Sequence, residues 1–367
     1  MTATTLETTA FPTSVKAAMA EPNFPLPILD LSLLDQGPES AERFRTQLRN
    51  ATHDVGFFYL VGTGITPDLE SRLLSTSREF FALPEDDKLE IENVKSPHFR
   101  GYTRLGGERT KGKVDWREQI DIGPEDEAVD RETNPDFLRL LGPNQWPTAL
   151  PTLRPLVDEW QAKLIEVARK LLRAWALALG AEEDYFDKHF GKPATLLKIV
   201  RYPGTSGEER NAQGVGAHKD AGVLTLLWIE PGVAGLQVEK DGEWVAAPPV
   251  PGAFVVNIGE MLEYATQGYL KATNHRVIAP LAPNERISIP FFFNPQLDAN
   301  LPLIDLPAEF KAEANGVTVD PTNTIYTLYG QNALKSRLRA HPDVAAIHHA
   351  DLVEKHGLNV NAPGSAY

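Results

Sequence analysis

The sequence predicts a mixed α and β protein whose second half is built on antiparallel β-structure. Between about residues 195 and 295 the chain carries about seven short apolar runs, often β-branched, separated by turn residues. This texture is typical of an antiparallel sandwich or a small barrel. Amphipathic helical patterns lie on both sides of it, and 367 residues are enough to bury a large core.

The first elements alternate strand and helix after an arm over residues 1–25 that we expect to be flexible. Residues 25–34, PLPILDLSLL, predict a short strand. Residues 39–56 predict a helix, with Ser40 as its N-cap and Gly56 as its end.

A second strand and helix follow and complete an N-terminal α/β region, which we place at residues 26–150. The apolar run at 57–62, FFYLVG, has the length of a strand, and Thr66 followed by Pro67 is a good start for a helix. From residue 92 onwards the chain is irregular, rich in Gly, Pro and charge. It predicts short strands or a loop that covers a site.

A long helix and the β-rich segment form the predicted core region, 151–321. Apolar residues from Leu153 to Trp175 recur at helical spacing, and Gly180 ends the pattern. Among the strands, GLQVEK and EWVAA are joined by Asp241–Gly242, a strong hairpin signal. Residues 322–367 predict a helical, amphipathic tail.

Composition restricts the partners and the chemistry. The net charge of −14 disfavours nucleic acid and anionic membranes as partners. The chain has no cysteine, so thiolate metal sites and cysteine nucleophiles are excluded. The N-terminus lacks the pattern of a secretory signal, and no apolar run reaches the length of a membrane span. We therefore expect a cytoplasmic protein.

The triplet His218-Lys219-Asp220 and the later His275 predict a metal site. On an extended backbone, residues i and i+2 face the same side, so His218 and Asp220 can bind one ion. His275 lies 55 residues after Asp220, in another predicted strand. Two histidines and one carboxylate are the ligands expected for a non-haem iron(II) that activates oxygen.

Two further His-x-Asp triplets occur in the tail, at His341–Asp343 and at His349–Asp351. On a helix, residues i and i+2 diverge by about 200°, so such pairs cannot bind one ion. The chain also offers no second histidine some fifty residues beyond them. We expect these residues to lie at the surface or to cap helices.

Arg286 and Ser288 predict a receptor for a carboxylate beside the metal. They lie at i and i+2 on a predicted strand, and a guanidinium beside a hydroxyl can bind a carboxylate through several hydrogen bonds. Arg286 follows His275 by eleven residues, so the pair could hold one end of a dicarboxylate whose other end reaches the metal. Tyr202 could add a hydrogen bond.

Together these segments make the chain similar to the isopenicillin N synthase-like family of 2-oxoglutarate and iron(II)-dependent oxygenases. The resemblance covers about residues 26–340. The matching segments are PILDLSLL, DVGFFYLVGTGI, LLKIVRYP, AHKDAGVLTLLW, GLQV, NIGEMLEYATQG, KATNHRVIAP and RISIPFFFNP. The resemblance implies a double-stranded β-helix, or jelly roll, as the core, with flanking helices.

The resemblance also implies the cofactors and the reaction. Iron(II) would be bound by His218, Asp220 and His275, and 2-oxoglutarate by Arg286 and Ser288 with Tyr202 as a further contact. O2 would be the oxidant. Decarboxylation of 2-oxoglutarate to succinate and CO2 would be coupled to hydroxylation or desaturation of a small organic molecule.

Other functions remain open at this point. A same-fold oxidase of the isopenicillin N synthase type would use Arg286 and Ser288 for the substrate's own carboxylate. An ethylene-forming relative would fragment 2-oxoglutarate itself. A jelly-roll binding protein without catalysis is the alternative of a different class, although the complete triad argues against it.

The substrate is not identified by these patterns. We expect its contacts among Tyr102, Arg104, Trp116, Leu227, Phe291 and Phe293, which lie in the irregular segment or on the core strands. For the loop residues, ordinary packing is the simpler interpretation. We expect the protein to act as a monomer.

Overall fold

Two β-sheets carry the side chains that line the central cavity. The computed structural model describes residues 25–207, 212–317 and 325–357. The expected arm lies outside the described residues apart from residue 25, and the predicted boundary at 321/322 also lies outside them.

The described strands follow the alternating and apolar runs of the sequence. In chain order they are β1 Ile28–Asp30, β2 Phe57–Val61, β3 Gly101–Thr103, β4 Arg109–Thr110, β5 Lys113–Val114, β6 Glu118–Ile122, β7 Leu196–Tyr202, β8 Gln213–His218, β9 Leu224–Ile229, β10 Leu236–Lys240, β11 Glu243–Ala246, β12 Phe254–Ile258, β13 His275–Ile278 and β14 Arg286–Phe293.

The described strands assemble into a large sheet in the order β1-β2-β12-β9-β14-β7-β6-β3, a smaller sheet in the order β11-β10-β13-β8, and the pair β4-β5. Apart from the parallel pair β1–β2, the registers of these sheets are antiparallel. The predicted mixed α and β fold with a jelly-roll core is confirmed. Strands of the N-terminal region extend the same large sheet at both edges.

The described α-helices surround these sheets. They are α1 Pro38–Asp54, α2 Pro67–Ala82, α3 Glu85–Leu89, α4 Leu153–Ala178, α5 Glu260–Ala265, α6 Ala308–Glu313, α7 Tyr329–Ala340, α8 Pro342–His348 and α9 Ala350–Lys355. None of the described helices is long and apolar enough to cross a bilayer.

Local signals explain where the first helices begin and end. Helix α1 begins at Pro38 after Gly37, so the predicted N-cap Ser40 is wrong and lies inside the first turn. Proline at the first position has its φ already set for a helix, which favours the earlier start. Gly56 ends this region as predicted. It has φ +77°, and a Cβ there would lie 2.1 Å from the carbonyl oxygen of Lys271. Thr66 caps α2 through the amide of Leu69, as predicted.

The long helix α4 packs the main hydrophobic core against the large sheet. Its stripe includes Trp160, Leu164 and Trp175, which are all fully buried. The Asp241–Gly242 hairpin is also confirmed: both residues have positive φ and connect β10 to β11 in register. The predicted tail helix is divided into α7, α8 and α9. Helix α8 begins at Pro342, because proline cannot continue the preceding helix.

Candidate functional site

Three side chains converge on one point between the two sheets. Nε2 of His218 lies 3.6 Å and Nε2 of His275 lies 3.7 Å from Oδ1 of Asp220. Each of the three offers one ligand atom, and these atoms lie within 4.8 Å of one another. Among the described residues, this is the one group of three or more His, Cys, Asp and Glu arranged to hold a metal ion. Such a donor set fits a first-row divalent metal such as iron(II).

The small sheet positions the two histidines, and the third candidate ligand follows one of its strands. His218 is the last residue of β8 and is paired directly with His275, the first residue of β13. Asp220 lies two residues beyond the end of β8, so the expected strand does not continue as far as this ligand. The chain turns there instead.

Hydrogen bonds orient all three groups. Nδ1 of His218 lies 2.8 Å from the carbonyl of Gly216, and Nδ1 of His275 lies 3.2 Å from that of Thr273. A carbonyl only accepts, so each Nδ1 carries the proton and each Nε2 keeps a lone pair for a metal.

The carboxylate of Asp220 is held from the large sheet. Its Oδ2 accepts hydrogen bonds from Oγ1 of Thr225 on β9 at 2.5 Å and from Nδ2 of Asn257 on β12 at 2.7 Å. The other oxygen, Oδ1, faces the two imidazoles. Sequence reasoning missed Thr225 and Asn257, because neither position is distinguished by spacing or motif.

Electrostatics keep the ligands in the protonation states that a metal requires. Burial would raise the pKa of Asp220, but His275, His218 and the Thr225 hydroxyl together hold it below its ordinary value. Burial and the neighbouring His218 lower the pKa of His275 to about 4. Around neutral pH the carboxylate is therefore ionised and the His275 imidazole is neutral.

A buried guanidinium that has no carboxylate beside it among the described residues lies in the same cavity. Arg286 begins β14, pairs with Tyr202 of β7 and is fully buried. Among the residues that the structure describes, none is a hydrogen-bond partner of its three guanidinium nitrogens. Its Cζ lies 5.0 Å from the ring centroid of Tyr202, and Ser288 lines the cavity from the same strand. Burial lowers the pKa of Arg286, which nevertheless stays a cation.

One cavity of about 430 Å³ contains both groups. Leu227, one of the expected substrate contacts, lines it. Phe291 and Phe293 do not: they are fully buried in the main core, on the other face of β14 from Arg286 and Ser288. Pro290 and Phe292 line the cavity in their place. The i+2 rule applied from Ser288 onwards selects these two residues, so the signal was present in the sequence.

The three expected contacts in the irregular segment do not line the cavity either. The Tyr102 hydroxyl donates to Glu118 at 2.5 Å and its ring packs edge-on against Phe80. Arg104 is exposed and pairs with Glu92. The indole of Trp116 is half-buried. Ordinary packing therefore explains Tyr102, and a surface ion pair explains Arg104.

The two tail histidines are buried, so the expected surface position is wrong for them, but both lie at helix caps, which was the other expectation: His341 is the N-cap residue of α8 and His349 that of α9. His341 contacts Glu108 and Asp121 at 3.6 and 3.7 Å. His349 lies 2.8 Å from the carbonyl of Pro97 and stacks on Phe99. They pack the C-terminal helices against the N-terminal region.

Comparison with known proteins is consistent with this geometry. Residues 26–149 match the family described as non-haem dioxygenase in morphine synthesis N-terminal, and residues 194–295 match the 2OG-Fe(II) oxygenase superfamily. The second match contains all three candidate metal ligands as well as Arg286 and Ser288.

Two curated relatives resemble most of the chain. A 2-oxoglutarate-dependent dioxygenase, frbJ, of Dothideomycetidae sp. (strain 11243) is 36% identical over 342 residues, which cover 87% of this chain and 90% of the relative. A homoarginine-6-hydroxylase of Arabidopsis thaliana is 36% identical over 295 residues, which cover 77% and 88%.

Among solved structures, a full-length Neurospora crassa protein in complex with alpha-KG and thymine superposes with a TM-score of 0.70. It is 25% identical and covers 86% of this chain and 99% of its own. The chain therefore belongs to the 2-oxoglutarate and iron(II)-dependent oxygenase superfamily, and it is a dioxygenase that uses iron(II), 2-oxoglutarate and O2.

Proposed function

We propose that His218, Asp220 and His275 bind the iron(II), that Arg286, Ser288 and Tyr202 bind 2-oxoglutarate, and that the enzyme hydroxylates a small molecule in the rest of the cavity. The observation that carries the cosubstrate assignment is the unpartnered guanidinium of Arg286. A fully buried cation without a hydrogen-bond partner is costly, and a carboxylate that enters the cavity removes this cost.

The residues present fit both groups. The triad offers two neutral imidazoles and one carboxylate, and Arg286 and Ser288 offer a guanidinium and a hydroxyl to a carboxylate. When bound, the iron supplies the activation of O2 that is coupled to decarboxylation of 2-oxoglutarate to succinate and CO2. Thr225 and Asn257 hold one oxygen of Asp220 and leave the other for the metal.

The walls of the cavity restrict water around the site. Phe57, Leu227, Leu236 and Val277 surround the triad and Arg286 with apolar surface. A low-dielectric surrounding strengthens the interaction between the guanidinium and a carboxylate. It also prevents loss of reactive species to solvent.

Succinate formation tests the cosubstrate assignment. Purified protein with Fe(II), 2-oxoglutarate and air should form succinate slowly without a substrate and faster with one. Anaerobic addition of 2-oxoglutarate to the iron-loaded protein should produce a weak visible charge-transfer band. If succinate never forms with any compound tested, the chain would instead resemble a same-fold oxidase that does not use 2-oxoglutarate.

Two variants separate the roles of metal and cosubstrate. His218→Ala should abolish both the band and succinate formation, and full turnover in this variant would contradict the metal assignment. Arg286→Gln should weaken 2-oxoglutarate binding about a hundredfold while metal affinity stays unchanged, because a buried carboxylate loses its charged partner. If the turnover of this variant depends on the 2-oxoglutarate concentration as in the wild type, Arg286 binds the substrate and not the cosubstrate.

The first compounds to screen follow from the relatives. Homoarginine is named for the Arabidopsis thaliana relative, and thymine is bound in the Neurospora crassa structure. Both should be tested for stimulation of succinate release and for a product heavier by one oxygen atom. A product lighter by two hydrogen atoms would indicate desaturation in place of hydroxylation.

We also propose that the enzyme acts as a monomer in the cytoplasm. The triad and Arg286 lie on one chain, so the proposed iron and 2-oxoglutarate sites need no residue of a second subunit. Light scattering of the purified protein tests the first part. Fractionation of cells of the native host tests the second.

A further inference from the structure

The cavity extends from the metal triad to a second group of charged residues that the chemistry above does not use. Its walls there include Arg100, Arg117, Lys198 and Arg337. The first three are buried, and Arg337 is partly buried. Buried cations in a cavity wall are expensive unless acids neutralise them.

Most of these cations have buried acidic partners. Lys198 lies 2.8 Å from Glu108 and 3.4 Å from Asp121. Arg117 lies 2.6 Å from Glu108 and 3.2 Å from Asp115, and Arg337 lies 3.5 Å from Asp121.

Glu108, Asp115 and Asp121 are the acids that face these cations. Burial would raise the pKa of Glu108 and of Asp121, but the surrounding cations hold both below their ordinary values. Burial raises the pKa of Asp115, yet its oxygens accept hydrogen bonds from Thr110, Arg117, Gln213 and the amide of Gly216. His341 adds no charge, because burial lowers its pKa.

Arg100 is the cation that is left over. It is 6% exposed, and within the described part of the chain no carboxylate lies within 4.0 Å of it. Its Nη2 donates to the carbonyl of Leu140 at 3.2 Å, and its Nε has no partner. Among the groups at this end of the cavity that are at least partly buried, four cations stand against three acids, which leaves one positive charge; Asp298, which also lines the cavity, is exposed to solvent. A further acid on the wall, Asp126, is already paired with Lys192.

The position of Arg100 is built into the fold. Its guanidinium lies where a side chain of residue 123 would be: a Cβ on Gly123 would lie 2.1 Å from Nη2 and 2.2 Å from Cζ of Arg100. Burial and the positive charge of Arg337 lower the pKa of Arg100 to about 10, while the more distant charges of Asp121, Asp126 and Glu125 oppose this shift, so Arg100 remains protonated at neutral pH. An anion beside Arg100 and Arg337 would relieve this repulsion.

We propose that the substrate is a small monocarboxylate, whose carboxylate binds Arg100 with help from Arg337 and whose apolar body extends along the cavity towards the metal site. One leftover positive charge matches a monoanion better than a phosphate dianion. The cavity wall also offers apolar contacts for the body of such a substrate. These contacts come from Leu138, Leu141, Phe292, Leu297 and Ala333. This inference rests on the proposed function only where it places the other end of the substrate near the metal site. The binding of the carboxylate to Arg100 does not depend on the proposed function.

Equilibrium binding to the full-length, metal-free protein tests the proposal without any turnover. The probes are 3-phenylpropanoate and hexanoate, each compared with its primary amide by calorimetry. We expect each acid to bind at least about thirtyfold more tightly than its amide, because only the acid can pair with the buried guanidinium. An acid that binds no more tightly than its amide contradicts the proposal.

Variants locate the binding site. Arg100→Gln should remove the preference for the acid, and Arg100→Lys should keep part of it, since the charge remains without the planar donor pair. Arg286→Gln should leave the preference for the acid over its amide intact and weaken only the binding of 2-oxoglutarate. If the preference is lost in Arg286→Gln and kept in Arg100→Gln, the acids bind at the cosubstrate position and the proposal is wrong.

Controls exclude a merely structural effect. Arg139→Gln removes a buried cation that pairs with Asp136 and Asp351 and does not line the cavity, so it should keep the preference. If Arg100→Gln does not fold, Arg337→Gln is the second variant. It should weaken the binding of both acids several-fold. If phenyl phosphate binds more tightly than 3-phenylpropanoate, the site prefers a phosphate to a carboxylate. This result would overturn the proposal. Failure of succinate formation with normal acid binding would contradict the proposed function alone.

Discussion

At the scale of single residues, the site is defined by what each polar atom contacts. In His218, Asp220 and His275, one polar atom of each side chain contacts a protein group, and the other polar atom faces the point where the three side chains converge. Arg286 and Arg100 are the opposite case, since they are buried cations with unpartnered nitrogens. Both kinds of residue point to ligands that the chain itself does not contain.

Thr225 tests how far the metal site depends on its supporting hydrogen bonds. Thr225→Val preserves the shape of the side chain but removes the donor to Asp220. We expect metal affinity to fall about ten- to a hundredfold, because the carboxylate loses its orientation. An anaerobic metal titration monitored by calorimetry measures this.

Thr52→Val is the matched control for that variant. Thr52 is also fully buried, but its hydroxyl donates to the carbonyl of Leu48 within α1. Metal affinity should not change in this protein. Equal affinities in Thr225→Val and the wild type would show that Asn257 alone orients Asp220.

At the scale of elements, β14 combines two roles by the alternation of its side chains. Arg286, Ser288, Pro290 and Phe292 line the cavity, whereas Ile287, Ile289, Phe291 and Phe293 are fully buried in the core. A shift of this strand by one residue would exchange the two sets. The register of β14 with β7 and β9 therefore positions the cavity-lining side chains and the core side chains together.

Neighbouring phenylalanines on β14 should consequently respond differently to truncation. Phe291→Ala should reduce the free energy of unfolding by about 3–5 kcal/mol, because it opens a cavity in the core. Phe292→Ala should cost clearly less stability and should change the Michaelis constant of the substrate. Urea denaturation and steady-state kinetics measure the two effects. Equal losses of stability would contradict the assigned faces.

At the scale of the whole molecule, the C-terminal helices cover the N-terminal region through buried histidines. Burial lowers the pKa of His98, His341 and His349. For His349 the value is about 4, and the positive charges of Arg131 and Arg139 add to the effect of burial, while the Pro97 carbonyl opposes it.

This arrangement predicts acid sensitivity. In the unfolded chain a histidine takes up a proton below about pH 6.5, whereas folded His349 does so only near pH 4. The stability that it contributes is complete above pH 6.5 and is lost as the pH falls towards 4. In His349→Gln, the decline of the free energy of unfolding over this range should be smaller by on the order of 2 kcal/mol.

Urea denaturation at a series of pH values measures this decline. His356→Gln serves as the control, because His356 is exposed and should leave the pH dependence as it is in the wild type. An unchanged decline in His349→Gln would show that other buried groups dominate the acid response.

Much of the fold and the metal triad could be predicted because their signals are local or periodic. Helix α4, the Asp241–Gly242 hairpin and the strands of the core follow from spacing and turn chemistry. His218, Asp220 and His275 stand out through residue type and order. Aromatic character favours Phe291 and Phe293 as substrate contacts, but the alternation of side chains along β14 that starts at Arg286 excludes them from the cavity.

Contacts between distant segments could not be predicted in this way. Thr225 and Asn257 meet Asp220 only because the two sheets face each other, and Arg100 becomes an unpartnered cation only after seven charged side chains are brought together at one end of the cavity. By itself, the sequence determined the class of fold and predicted the candidate metal ligands and the candidate carboxylate receptor, because these depend on spacing along single strands. The tertiary structure decided which charges remain unpaired, because pairing depends on distances between segments that lie more than 200 residues apart in the sequence.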